Sequence, residues 1–341
     1  MKISFNNDYS EGAHPSILKK IVEKNLESNI GYSNDDYCKQ ASKLILDEID
    51  CPTSKVHFFV GGTQTNLTFI ASVLRPHQAV ICCESGHINV HETGSVEATG
   101  HKVISTPAFL GKVSIEEIDK CVKHHQDEHM VMPKMVYISN STEIGTIYTK
   151  KELIDLYNYC KENNLYLFVD GARLGSAITA KNNDTTLKDF AKYCDAFYIG
   201  GTKHGLLFGE ALVINNIKLE EDFRFIMKQK GALLAKGFLL GIQFKELFSN
   251  KLFYNIGKHE NEMAEKIQDA FVKKGIELYI NSQTNQIFPV FNEKQYKKLE
   301  KKYLFSVWEK IDSKRIITRF VTSWATKQED VDNLINDIND L

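Results

Sequence analysis

The sequence predicts an α/β chain: a large domain on a seven-stranded, mostly parallel sheet, followed by a smaller C-terminal α+β domain. Three observations lead there. Short apolar, β-branched or aromatic runs recur between about residues 55 and 215. Polar helix-like stretches and Gly-containing turns separate them. After about residue 248 the pattern changes to a helix followed by shorter strands.

Taken in order, the seven runs are Val56–Val60, Ala79–Cys83, Lys102–Thr106, Met135–Ser139, Leu165–Val169, Ala196–Gly200 and Ala211–Ile214. The helices between them show the matching periodicity. In Thr149–Asn163, for example, Leu153, Ile154, Leu156, Tyr157 and Cys160 share one face. The large domain, residues 1–248 with the N-terminal segment, closes with a long helical stretch near Glu220–Phe248. The smaller domain, residues 249–341, reads as a helix from about Lys258 to Lys274, then strands Ile276–Ile280, Gln286–Phe291, Leu304–Trp308 and Ile316–Ser323. A last helix capped by Thr326 ends it. A parallel open sheet takes its ligand beyond the carboxyl ends of its strands, so chemistry is expected there.

Composition narrows the function classes. Lys and Arg number 42 against 44 Asp and Glu, with no run of one sign, which disfavours nucleic acid and anionic membrane as partners. The polar stretch Asn6–His14 leaves no room for the apolar core of a signal peptide, and no window approaches the roughly 18 apolar residues of a membrane span. The seven cysteines are scattered with no Cys-x-x-Cys pair, so a cytosolic protein with reduced thiols is expected. Cys82 and Cys83 read as strand packing, and His124, His125 and His129 as a solvated surface cluster.

Three features sit at strand ends. Gly61-Gly62-Thr63-Gln64-Thr65-Asn66 follows the first strand and leads into the helical run Leu67–Leu74; such a loop can present free amides to a phosphate, and it also reads as a plain strand-to-helix turn. Neither G-x-G nor the phosphate-loop pattern G-x-x-x-x-G-K-[ST] occurs, which disfavours dinucleotides and nucleoside triphosphates. Asp170 ends the strand Leu165–Val169, where a carboxylate needs a cation or donor, or else serves as a helix cap. Lys203 directly follows an apolar strand and is enclosed by Gly200, Gly201 and Gly205; a lysine so placed can become an imine-forming nucleophile, or can snorkel to solvent.

Phosphate loop, acidic strand end and strand-end lysine, in this order, are what a pyridoxal 5′-phosphate site needs. With Cys83-Glu84-Ser85-Gly86-His87-Ile88, Val169-Asp170-Gly171-Ala172-Arg173-Leu174 and Gly201-Thr202-Lys203, the chain resembles the low-specificity L-threonine aldolase and β-eliminating lyase family over nearly its whole length. That family has the aspartate-aminotransferase fold, pyridoxal-phosphate fold type I.

The resemblance implies that Lys203 holds the cofactor as a Schiff base, Asp170 pairs with its pyridinium nitrogen and His87 stacks on its ring. Gly62, Thr63 and Thr202 would hold the phosphate, and Arg173 and Arg319 the substrate α-carboxylate, although Arg319 also reads as a surface residue. Asn7 stands where the family has a serine that helps with the carboxylate. The spacing of His87 and His91 invites a metal reading, but no third ligand is evident and no metal is expected. The implied reaction is cleavage of threonine or allo-threonine to glycine and acetaldehyde. Alternatives are β-elimination, transamination or a non-catalytic binder. The fold also implies a homodimer or homotetramer.

Two positions depart from the family. In Ser139-Asn140-Ser141-Thr142-Glu143, Glu143 takes the place of a histidine near the substrate hydroxyl, where a carboxylate could act as general base or simply cap a turn. Lys236 stands where an arginine follows the long helix.

Overall fold

The computed structural model describes residues 2–341. Strand β1 (Ile3–Ser4) opens the chain. The large sheet comprises β2 (Lys55–Phe59), β3 (Gln78–Cys83), β4 (Lys102–Thr106), β5 (Met132–Ser139), β6 (Tyr166–Asp170), β7 (Ala196–Gly200) and β8 (Glu210–Ile214). Its order is β2-β8-β7-β6-β5-β3-β4, and β8 alone runs against the others. The seven expected strands are therefore present, each within a few residues of its sequence bounds. Because successive side chains point to opposite faces, Phe197 and Ile199 join one apolar core while Ala196 and Tyr198 join the other. Helices cover both faces, and the helix Lys150–Glu162 starts with the capping box Thr149/Glu152 that its sequence announces.

The reversal of β8 matters for the site. Its first residue, Glu210, pairs with both Phe59 and Gly200, so it lies at the same sheet edge as the carboxyl ends of the parallel strands.

The small sheet is built on β13 (Ile316–Val321), which pairs antiparallel with β9 (Gln286–Ile287), β10 (Val290–Phe291) and β12 (Ser306–Lys310). The short β11 (Tyr303–Leu304) pairs instead with β1. Several boundaries differ from expectation here. Pro289 cannot donate to a ladder, so Gln286–Phe291 is split into β9 and β10, and Ile276–Ile280 forms no strand beyond an isolated Leu278–Pro289 bridge. Leu304–Trp308 is likewise divided between β11 and β12. The stretch Glu220–Phe248 is two helices, Phe223–Gln229 and Phe238–Leu247, separated by a loop in which Gly231 has φ +71°. Thr326 is not a cap: its hydroxyl accepts from the Ser323 amide, and the last helix, Gln328–Asn339, has Lys327 at its N-cap.

The helix expected from Lys258 begins at Leu252 and runs to Lys273. Gly257 permits its first turns to lie against the backbone of Gly175, where an added Cβ would meet the carbonyl oxygen at 2.5 Å. Phe253 and Ile256 of this helix belong to the large core, and Met263, Ile267 and Phe271 to the small one. Between them Glu260 accepts a 2.7 Å bond from the Ser176 hydroxyl, while its main-chain carbonyl accepts one of 2.7 Å from Thr322. Phe5, in the N-terminal segment expected with the large domain, packs in the small core. No helix among the described residues is long and apolar enough to cross a membrane.

Candidate active site

At the carboxyl edge of the large sheet lies a cleft of about 350 Å³, lined by Gly62, Thr63, His87, Glu143, Asp170, Arg173, Thr202 and Lys203. Eight of the ten expected site residues thus share one cavity. Asn7 and Arg319 do not line it.

The loop after β2 enters a helix sooner than expected. Gly61 is the N-cap and the helix spans Gly62–Val73, so Gly62, Thr63 and Gln64 form its first turn. The first backbone bond back is from Thr65 to the Gly61 carbonyl, at 3.1 Å, which leaves the preceding amides at the cleft without intrahelical acceptors. A Cβ on Gly62 would meet the Tyr198 hydroxyl at 3.0 Å, so the glycine keeps this cradle open. The Thr202 hydroxyl accepts a 3.0 Å bond from the Gly209 amide.

Asp170 is buried at the tip of β6. Its Oδ1 accepts from the Ala172 amide at 2.9 Å, and its Oδ2 from the Tyr137 hydroxyl and from Asn66 at 3.1 Å. Burial pushes its carboxyl upward, but the neighbouring His87 ring and the Tyr137, Tyr198 and Ala172 donors outweigh it and hold Asp170 below the ordinary range.

Lys203 has no ion pair or hydrogen bond among the described residues. Burial, and then the charge of Arg173, lower its ammonium, opposed by Asp8, Asp170 and Glu210. Glu210 accepts from the Gly201 amide at 3.1 Å, and burial raises its carboxyl. A lysine with a lowered affinity for its proton, free of partners, is equipped to form a Schiff base.

His87 and Glu143 meet. The Glu143 Oε1 accepts from the His87 amide at 3.0 Å and the Ser139 hydroxyl at 2.7 Å, whereas Oε2 is buried without a partner. Burial raises the Glu143 carboxyl above the ordinary range. The His87 ring bonds Glu92 at 2.8 Å.

Arg173 is already engaged. Asp8, fully buried, takes its guanidinium fork at 2.7 and 3.0 Å and accepts a third bond from Asn285 at 3.0 Å. Asn7 accepts from the Tyr9 amide and the Ser10 hydroxyl, shaping a local turn, so the acidic residue one position later is the one that reaches the arginine. Arg319 lies over the Trp308 ring at 5.4 Å, and its Nε is buried without a partner. Lys236 is exposed and outside the cleft.

Sequence reasoning missed Asp8, Asn66, Glu92, Tyr137 and Glu210. Asn66 ends the quoted glycine loop and Asp8 adjoins Asn7, so both were one step from view; Tyr137 and Glu210 depend on sheet order and register, and Glu92 on the turn after His87.

The sequence profile of β-eliminating lyases matches residues 41–294. The chain belongs to the β-eliminating lyase family. Low specificity L-threonine aldolase of Pseudomonas aeruginosa is 28% identical over 340 residues, covering 98% of this chain and 96% of that protein. The enzyme of the same name from Pseudomonas sp. is 29% identical over 343 residues with the same coverage. The solved structure of threonine aldolase from Leishmania major is 45% identical and superposes with a TM-score of 0.98 over 99% of both chains. An aspartate aminotransferase from Thermus thermophilus, 11% identical with a TM-score of 0.73 over 99% of this chain and 91% of that one, shares the fold.

β-Eliminating lyases and threonine aldolases are pyridoxal-phosphate-dependent families, and the cleft fits that group. The open first turn at Gly62 suits a phosphate, Asp170 suits a protonated ring nitrogen, and the unpartnered Lys203 suits the aldehyde.

Proposed function

We propose that this β-eliminating lyase family member is a carbon–carbon lyase that cleaves L-threonine or L-allo-threonine to glycine and acetaldehyde. The observation that carries the reading is the near full-length likeness to threonine aldolases, at 45% identity for the Leishmania major structure, around a cleft with an unpartnered lysine.

When bound, pyridoxal phosphate supplies an electron sink for the breaking Cα–Cβ bond. Lys203, unpartnered and with its ammonium lowered by burial, would hold the cofactor. Asp170, kept anionic by its donors, holds a proton at the ring nitrogen. Gly62 and Thr63 offer first-turn amides to the phosphate, with Thr202 beside them. Arg173, which lines the cleft in its pair with Asp8, and Arg319 are the guanidinium groups assigned to the substrate carboxylate. His87 covers the ring. The unpartnered Oε2 of Glu143 is the acceptor offered to the β-hydroxyl proton, and burial, which raises its carboxyl, strengthens it as a base.

The proposal extends to a cytosolic homodimer or homotetramer. Seven free cysteines support the compartment, and the exposed apolar residues Leu18 and Val22 on the helix Pro15–Lys24, with Leu26 and Ile30 in the segment after it, support an assembly surface. Sedimentation measures the subunit number; a monomer at working concentration overturns that part.

The deciding assay adds threonine to the cofactor-loaded protein and measures acetaldehyde. Release is expected, together with its loss, by at least about a thousandfold, in Lys203→Ala. A normal cofactor spectrum without acetaldehyde overturns the aldolase reading.

A further inference from the structure

A continuous buried chain of hydrogen bonds joins the two sides of the cleft. Glu92, whose side chain is fully buried, receives three donors: His87 Nδ1 at 2.8 Å and Asn66 Nδ2 at 2.8 Å on Oε1, and the Ser95 hydroxyl at 2.7 Å on Oε2. The same Asn66 nitrogen reaches Asp170 Oδ2 at 3.1 Å. Only an amide NH2 can face two carboxylates, so the orientation of Asn66 follows from its neighbours. The Tyr137 hydroxyl completes the chain on the Asp170 side.

This arrangement constrains His87. A carboxylate can only accept, so Nδ1 must carry a proton. The ring is one-third exposed and lines the cleft, and its Nε2 has no partner among the described residues. The main chain of His87 is held separately, by Glu143 through the amide bond. Backbone and ring are thus fixed by two different carboxylates. Of these, Glu143 lines the cleft and Glu92 does not.

We propose that Glu92 is the positioning residue of this site. It fixes the His87 proton on Nδ1, so that Nε2 meets the cleft as a lone pair, and through Asn66 it ties the orientation of that ring to the Asp170 carboxylate. The proposal rests on the lyase reading and names the residue that sets the geometry of its ring-covering histidine. The logic is that of a base oriented by a third group, in which the buried acid acts by setting tautomer and ring angle.

Glu92→Gln tests it, because the side chain keeps its size but its amide can turn an NH2 toward His87, where the carboxylate oxygen can only accept. The first measurement is the imidazole nitrogen NMR signal of His87 in the cofactor-free protein, at a pH where the ring is neutral. In the wild type, Nδ1 is expected to carry the proton; in Glu92→Gln, the Nε2–H form is expected to gain population. The second is steady-state cleavage by the loaded enzyme: kcat is expected to fall about 10- to 100-fold, with KM changed less than about twofold.

A wild-type ring protonated on Nε2 overturns the proposal, and this outcome needs no variant to fold. An unchanged tautomer in Glu92→Gln overturns it as well, as does a changed tautomer with full kcat. If the loaded wild type releases no acetaldehyde, the aldolase reading fails, and the NMR result alone still decides whether Glu92 sets the tautomer.

Discussion

Glu143 uses its two oxygens differently, and that asymmetry explains its burial. Oε1 satisfies the His87 amide and Ser139, while Oε2 has no partner. Burial raises its carboxyl above the ordinary 4.5, so the folded protein holds this proton more tightly than the unfolded chain does. The stability contributed is fully present below the ordinary value and is lost as pH rises through the raised one. Glu143→Gln, which has no proton to lose, should gain stability relative to the wild type as pH rises through that window. Urea midpoints of the two cofactor-free proteins across the range test this; a constant difference contradicts it. The sequence marked Glu143 as the place where the family pattern breaks, but not its bond to His87, since that contact joins residues 56 apart. Glu92 was invisible for another reason: it lies only five positions from His87, but nothing in the sequence distinguishes it from a solvated glutamate.

The glycine cradle shows what an element adds to its residues. The motif Gly61–Asn66 was legible as a strand-to-helix junction, yet the helix begins at Gly62, because a glycine N-cap gives no side-chain signal of where the first turn starts. Valine at Gly62 keeps the helix but puts its Cβ 3.0 Å from the Tyr198 hydroxyl, narrowing the anion-facing turn. Gly62→Val should weaken pyridoxal phosphate binding about tenfold or more, near 1.4 kcal/mol, with little change in far-ultraviolet circular dichroism. Fluorescence titration of the cofactor-free protein measures it, and unchanged affinity removes Gly62 from the cradle. The strands of the large sheet were readable because their apolar runs are continuous and buried. The small-domain strands are short and meet a proline, so their pairing, which periodicity cannot report, decided their ends.

At the scale of the molecule, the N-terminal segment joins both halves. Phe5 is fully buried among Tyr303 and Phe320, Val321 donates to its carbonyl at 2.8 Å, and three residues later Asp8 grips Arg173. Phe5→Ala should cost about 3–5 kcal/mol and, by loosening the segment that carries Asp8, raise KM for threonine more than it lowers kcat. Denaturant titration and steady-state kinetics provide the two readings; a large stability loss with KM intact uncouples the segment from the site. This coupling was not legible, because it links the first residues of the chain to residues beyond 285.

The helix Leu252–Lys273 has a mechanical meaning as well as a packing one. Its 22 residues make a rod of about 33 Å, with one end set in each core and Glu260 near the middle. There the side chain is bound to the large domain through Ser176, and the main chain to the small domain through Thr322. Glu260 is therefore a tie shared by both halves. The Glu260 carboxylate is also 3.5 Å from His204, the residue next to Lys203, so this one side chain ties the helix to the segment that carries the cleft lysine.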